Sequence, residues 1–192
     1  PYVINADIVG TGRPVVVIAG GPGFSGQSVW GIGFGMRRTC RTYLFDQLGT
    51  GKSQLKNSGD LKSHVGLMKT VEDLEALRKA AGHAKWTVIG QSWGVIVALN
   101  YAAKHPASID HLVLTSVPGI GQEGFELGRN LDKKIPADEM KKMVDEAFRT
   151  DRTEEERTAT QVGMGLPYYF HEVSLGRHYA SLAPSDLFAP AV

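Results

Sequence analysis

A chain of 192 residues, 42% of them hydrophobic, is long enough for one domain with a real core and too short for two comfortable ones. Its net charge of +1, with Lys and Arg scattered among matching Asp and Glu, excludes a strongly basic partner surface, so neither a nucleic-acid nor a membrane partner is expected. Cys40 is the only cysteine, which rules out an internal disulfide, and no apolar run reaches the length of a membrane span.

No signal peptide is visible, and the cytoplasm is the expected compartment. The chain opens at Pro1 without an initiating Met, already inside a strand pattern, which leaves room for residues upstream. Tyr2 to Val9 alternates loosely and ends in Gly10-Thr11-Gly12, a strand and a turn. Val15, Val16, Val17 and Ile18 form a fully apolar run, the pattern of a parallel strand covered on both faces. Ala19-Gly20-Gly21-Pro22-Gly23 then forms a tight loop whose amides are free to point at a ligand.

Ser28 to Arg38 reads as a helix interrupted by Gly31, Gly33 and Gly35, and Arg37, Arg38 and Arg41 read as its solvated end. Thr42 to Phe45 is a second buried strand, closed by Asp46-Gln47-Leu48-Gly49-Thr50-Gly51-Lys52-Ser53. Gly51-Lys52-Ser53 imitates the end of a phosphate-binding loop, but the leading glycine of that motif falls on Asp46 and no helical pattern follows Ser53. Thr70 to Ala81 reads as a surface helix: Thr70 and Asp73 form a capping box, and Val71, Leu74, Leu77 and Ala81 make one apolar stripe. Arg78 and Lys79 sit in the last turn, and Gly82 stops it.

Trp86 to Ile89 is a short apolar strand, Gly90-Gln91-Ser92-Trp93-Gly94 interrupts it, and Val95 to Ala103 continues as a buried helix ended by His105-Pro106. A strand that turns at once into a helix crowds its own backbone on both sides of the central residue, and glycines at 90 and 94 tolerate that crowding. Ser92 is thereby set at the tip of a nucleophile elbow, above a helix N-terminus with unpaired N–H groups. Leu112 to Leu114 with Thr115 reads as a further buried strand. The whole order predicts an α/β fold with a doubly wound, mostly parallel sheet over residues 1–118.

Beyond Pro118 no strand pattern interrupts up to about residue 182, and residues 119–192 read as a helical lid with the start of a return to the core. Pro136 to Thr150 is one-sided, with Met140, Met143, Val144, Ala147 and Phe148 on one face. Thr153 to Glu156 is a second capping box, and Leu166 to His171 opens an aromatic segment. Tyr168, Tyr169 and Phe170 are candidates for lining a substrate pocket, and Glu123, Glu126 and Glu172 for meeting a substrate amine.

The loop at 19–23, the Asp46-Gln47-x-Gly49-x-Gly51-x-Ser53 turn, the helix before the elbow strand, Gly90-Gln91-Ser92-Trp93-Gly94 and the following His105-Pro106 together resemble the α/β-hydrolase fold. They most resemble its proline iminopeptidase-like branch, which carries HGGPG, DQRGxGxS and GGSWG in this order. The resemblance implies Ser92 as the nucleophile that attacks an acyl carbonyl, with the backbone N–H groups of Trp93 and Gly21 as the oxyanion hole. Gly20, Gly23 and Gln91 would border the substrate, and Asp46 would brace its turn. Ala19 departs from the family's loop histidine, and Gln91 from a glycine of its elbow.

The fold orders its triad as Ser, then an acid, then His, the last two beyond the lid. The chain stops before such strands, so it reads as an N-terminal portion, with a second chain or a C-terminal segment completing the sheet. No cofactor is implied, and one cysteine with dispersed histidines offers no metal-ligand spacing. The expected activity is hydrolysis of a small peptide or amide, with an esterase or lactonase of the same fold, and a non-catalytic binding module, as alternatives.

Overall fold

The computed structural model describes residues 2–21, 23–54, 64–118, 129–130, 133–147, 149–151, 160, 163–169 and 172–182. The chain divides after Val117 into two compact units, the second running Pro118–Pro190. The first unit is a five-stranded sheet of β1 (Ala6–Val9), β2 (Arg13–Ile18), β3 (Cys40–Phe45), β4 (Trp86–Gln91) and β5 (Ile109–Thr115), in the spatial order β1-β3-β2-β4-β5. Its helices are α1 (Trp30–Met36), α2 (Leu67–Ala80) and α3 (Trp93–Lys104). All neighbours pair in parallel except β1, which runs antiparallel to β3.

The unbroken apolar run of β2 follows from its place between β3 and β4, where each face needs covering. On one face Val16, Ile18, Tyr43, Phe45, Trp86 and Val88 pack with Val71 and Leu74 of α2 and Val97, Ala98 and Tyr101 of α3. On the other, Val15, Val17, Leu44 and Ile89 pack with Val29, and Ile32 and Met36 of α1 lie against them. Each fully buried side chain of this size stabilises the fold by roughly 1.5–3 kcal/mol. From β2 the chain steps outward to β3, then returns past β2 to β4 and continues to β5. The carboxyl ends of β2 and β4 therefore flank the point where the winding reverses, the crevice in which open α/β sheets hold ligands.

Five sequence expectations change. α2 begins at Leu67, not at Thr70, because Leu67 packs against the core and draws the first turn forward; Gly66 is its N-cap and no side chain caps it. Thr70 Oγ1 donates back to Gly66 O at 3.1 Å, and Asp73 accepts from Tyr2 OH at 2.7 Å, so the proposed capping box does not form. Arg78 is not a surface charge of the last turn: it is buried and donates two hydrogen bonds to Glu75, 2.9 and 2.6 Å long. Tyr101 OH adds a third to that carboxylate at 2.8 Å, tying α2 to α3.

The stretch before β3 is a 3₁₀ turn at Gly26–Val29 followed by the seven-residue α1, shorter than the helix expected over 28–38. β5 is not buried either. Among the described residues it pairs with β4 alone, and Leu112 and Val113 are 37% and 41% exposed. In the second unit, α4 (Ala137–Ala147), a 3₁₀ turn (Leu166–Tyr169) and α5 (Val173–Leu182) are the named elements. Of the face expected on α4, Met140 and Met143 are half-buried while Val144 is exposed, and Lys141 pairs with Asp145. Phe148 and the capping box at 153–156 lie outside the described residues.

Candidate active site

Ser92 sits between the end of β4 and the first residue of α3 with φ 52° and ψ −119°, one of two non-glycine residues with positive φ among those described. Such a conformation costs a side-chain-bearing residue on the order of 1–3 kcal/mol and persists only where its surroundings enforce it. Here Ser92 N–H donates to Thr115 O of β5 at 3.1 Å, and Val95 N–H donates to Ser92 O at 2.9 Å.

The flanking glycines are dictated by contact. A Cβ on Gly90 would lie 2.5 Å from Gly94 O, and one on Gly94 would overlap the Ile18 carbonyl. Strand β2, the elbow and the first turn of α3 therefore touch backbone to backbone. The loop after β2 closes the other side: a Cβ on Gly20 would sit 3.1 Å from Ser92 Cβ and 2.7 Å from Gln91 Oε1. Gly21 and Gly23 take φ of 112° and 106°, the left-handed half of the map where glycine is favoured, and Pro22 lies outside the described residues. Trp93 is the first residue of α3, so its N–H has no intrahelical acceptor and carries part of the helix's positive end.

The turn after β3 is a frame. Asp46, 5% exposed, accepts from Gly26 N–H (2.7 Å), Lys52 N–H (3.0 Å) and Asn5 Nδ2 (3.1 Å). Ser53 Oγ donates to Asp46 O at 2.8 Å and accepts from Asn5 N–H at 2.8 Å. Gly51, Lys52 and Ser53 are spent on this frame, and Lys52 Nζ pairs with Asp7 at 2.7 Å, which disposes of the phosphate-loop imitation. Asp46 braces its turn and is fully engaged in doing so. Gln47, to which the sequence pattern assigned nothing, accepts from Trp93 Nε1 at 3.2 Å.

Ser92 Oγ makes no hydrogen bond among the described residues, nor does the Gln91 carboxamide beside it. The histidines of the first unit lie elsewhere. His83 Nε2 meets Tyr43 OH at 2.8 Å, His64 packs edge-on to the Tyr2 ring, and His111 pairs with Asp110. His105 caps the far end of α3, roughly 20 Å from Ser92 at 1.5 Å per residue, and faces Glu72. Burial, then Arg41 and Arg78, pushes the His83 imidazole below its ordinary range.

In the second unit Tyr168 is buried, and its hydroxyl accepts from Arg177 at 3.3 Å. Glu172 and His178 are exposed. The side chain of Tyr169, and Phe170, His171, Glu123 and Glu126 altogether, lie outside the described residues. Among the described residues no cluster of three His, Cys, Asp or Glu could hold a metal ion, and no helix is long and apolar enough to cross a membrane.

A family model described as the alpha/beta hydrolase fold matches residues 13–182. The chain is 31% identical over 173 residues to a protein called a putative proline iminopeptidase in Mycoplasma pneumoniae, covering 88% of this chain and 51% of that one. It is 38% identical over 106 residues to a protein of the same description in Mycoplasma genitalium, covering 55% and 33%. Among solved structures, an alpha/beta hydrolase from Sphaerobacter thermophilus superposes with a TM-score of 0.64 at 20% identity, covering 100% of this chain and 69% of that one. The chain thus spans about half the length, or less, of these curated relatives.

Proposed function

The chain belongs to the α/β-hydrolase fold family, and from that premise we propose that it is the nucleophile-bearing part of a serine hydrolase acting on a small peptide or amide substrate. The supporting observation is the conjunction at Ser92: a serine held at φ 52° between two glycines that admit no side chain, with the Gly20 backbone packed against its Cβ. A hydroxyl so placed stands at the carboxyl end of the sheet, at the reversal of winding, where a substrate can reach it.

In this mechanism Ser92 Oγ attacks the acyl carbon, and the carbonyl oxygen turns toward the free N–H groups of Trp93 and Gly21 as charge develops on it. One such donor contributes on the order of 3 kcal/mol to the transition state. The proton of Ser92 passes to a histidine oriented by a carboxylate. In this proposal the histidine and carboxylate lie outside the described residues, on a segment or second chain along β5 that completes the sheet, following the fold's order of Ser, acid, His. Gln91, unpaired beside Ser92, borders the acyl group. The relatives called proline iminopeptidases favour a substrate with a free amino terminus over an ester.

Labelling by a fluorophosphonate, followed by intact mass, tests the nucleophile: one adduct is expected on the unchanged protein and none on Ser92→Ala. An adduct that survives Ser92→Ala overturns the assignment. No adduct on either leaves a binding module that keeps the fold without its chemistry. Turnover of a proline anilide against short acyl esters, in the full-length protein, then separates peptidase from esterase.

A further inference from the structure

Gln47 and Trp93, 46 residues apart in sequence, meet through a single side-chain hydrogen bond, indole Nε1 to carboxamide Oε1 at 3.2 Å. Gln47 is 6% exposed, and its Nε2 has no hydrogen-bond partner among the described residues. A buried donor left unpaired forfeits its hydration with no bond in return. Rotating the carboxamide end for end would not relieve it, because the indole N–H can only donate and would then face another donor. The glutamine is thus locked in the one orientation that serves Trp93, at the expense of its own nitrogen.

Nor can residue 47 drift away from the contact. The preceding Asp46 is fixed by three N–H donors, and Gln47 O accepts both Thr50 N–H (2.9 Å) and Thr50 Oγ1 (2.8 Å). On the other side, Trp93 directly follows Ser92 and opens α3, half-buried against the larger core cluster. An apolar residue of similar shape would fill the place of Gln47 without the buried nitrogen, so packing alone does not account for it.

Resting on the hydrolase reading above, we infer that Gln47 is a positioning residue for the reaction. By holding the indole of Trp93 it fixes the rotamer and first-turn geometry of residue 93, and so the direction of the N–H that receives the acyl oxygen. The rigid turn after β3 is in this way coupled to the nucleophile's neighbour across the sheet.

The test uses Gln47→Met, which keeps volume and removes the acceptor, Trp93→Phe, and the double variant. Two quantities are read: the indole N–H resonance of Trp93, identified among those of Trp30, Trp86 and Trp93 by its absence from Trp93→Phe, and the rate of Ser92 labelling by a fluorophosphonate. Gln47→Met is expected to shift that resonance and slow labelling about tenfold, and to slow it no further once Trp93 is Phe. Equal slowing in both backgrounds, or a Trp93 resonance unmoved by Gln47→Met, overturns the inference while the hydrolase reading stands. Absence of Ser92 labelling in the unchanged protein overturns both. Should Gln47→Met not fold, Trp93→Phe decides alone: about tenfold slower labelling is expected, and an unchanged rate overturns the inference.

Discussion

Glu75 and Arg78 face each other one turn apart on α2 through two hydrogen bonds, both side chains about nine-tenths buried. Arg78 also donates to the His83 and Ala84 carbonyls, so one guanidinium closes the end of α2 onto the loop that feeds β4. Removing Arg78 takes the guanidinium from a buried carboxylate that keeps Tyr101 OH at 2.8 Å and Lys79 Nζ at 3.4 Å. Arg78→Met is expected to lower the unfolding free energy by about 3–5 kcal/mol, and Glu75→Met/Arg78→Met together by less than Arg78→Met alone. Urea denaturation of the single and double variants measures this; a double variant less stable than Arg78→Met would contradict it.

The same pair sets an acid limit. Hydrogen bonding from Arg78 holds the Glu75 carboxyl well below its ordinary value of 4.5, so the unfolded chain takes up a proton there before the folded one does. Stability from this group is full above pH 4.5 and is lost as the pH falls below it toward the depressed folded value. Burial of His83 acts with the same sign, beginning below its ordinary 6.5. Glu75→Gln should be less stable than the unchanged protein at neutral pH yet lose less on acidification, visible as a flatter urea midpoint between about pH 5 and pH 3.

Glycines of the first unit should divide sharply on replacement by alanine. At Gly94 the new methyl meets the Ile18 and Ala19 carbonyls, backbone that cannot give way, and a loss of about 3 kcal/mol or more is expected. Gly31 and Gly35 of α1 have nothing within 4 Å of a built Cβ and no positive φ. Alanine there should raise stability by about 0.5–1 kcal/mol through helix preference and a stiffer unfolded chain. Thermal midpoints of the three variants check the contrast.

Strain at Ser92 predicts a trade between stability and reactivity. Ser92→Gly relieves the positive φ and should gain about 1 kcal/mol or more while abolishing fluorophosphonate labelling. Ser92→Ala keeps the strain and should abolish labelling without the gain. Equal stability of the two variants would show that the backbone at 92 stores nothing.

Much of this architecture was legible because its signals are local. The run Val15–Ile18 could only be a strand covered on both faces, and Gly90-Gln91-Ser92-Trp93-Gly94 between an apolar strand and an apolar helix could only be a sharp elbow. What escaped depends on partners distant in sequence. A Glu and an Arg three apart look the same on a wet face as on a dry one, and only Tyr101, from α3, shows which face Glu75 and Arg78 occupy. Thr70 resembled a cap because Leu67 gives no hint, by itself, that the core claims it. Gln47 was invisible for the same reason: its partner is 46 residues away. β5 looked like a buried strand because its residues suit one, while its exposure is set by having a neighbour on one side only among the described residues.

That one-sidedness reaches further than solubility. The amide of Ser92 is anchored on the carbonyl of Thr115, the last residue of β5. A strand laid along the outer margin of β5 would stiffen the post to which Ser92 is moored, and its departure would slacken it. The backbone of residue 92 is thereby tied mechanically to the occupancy of that rim.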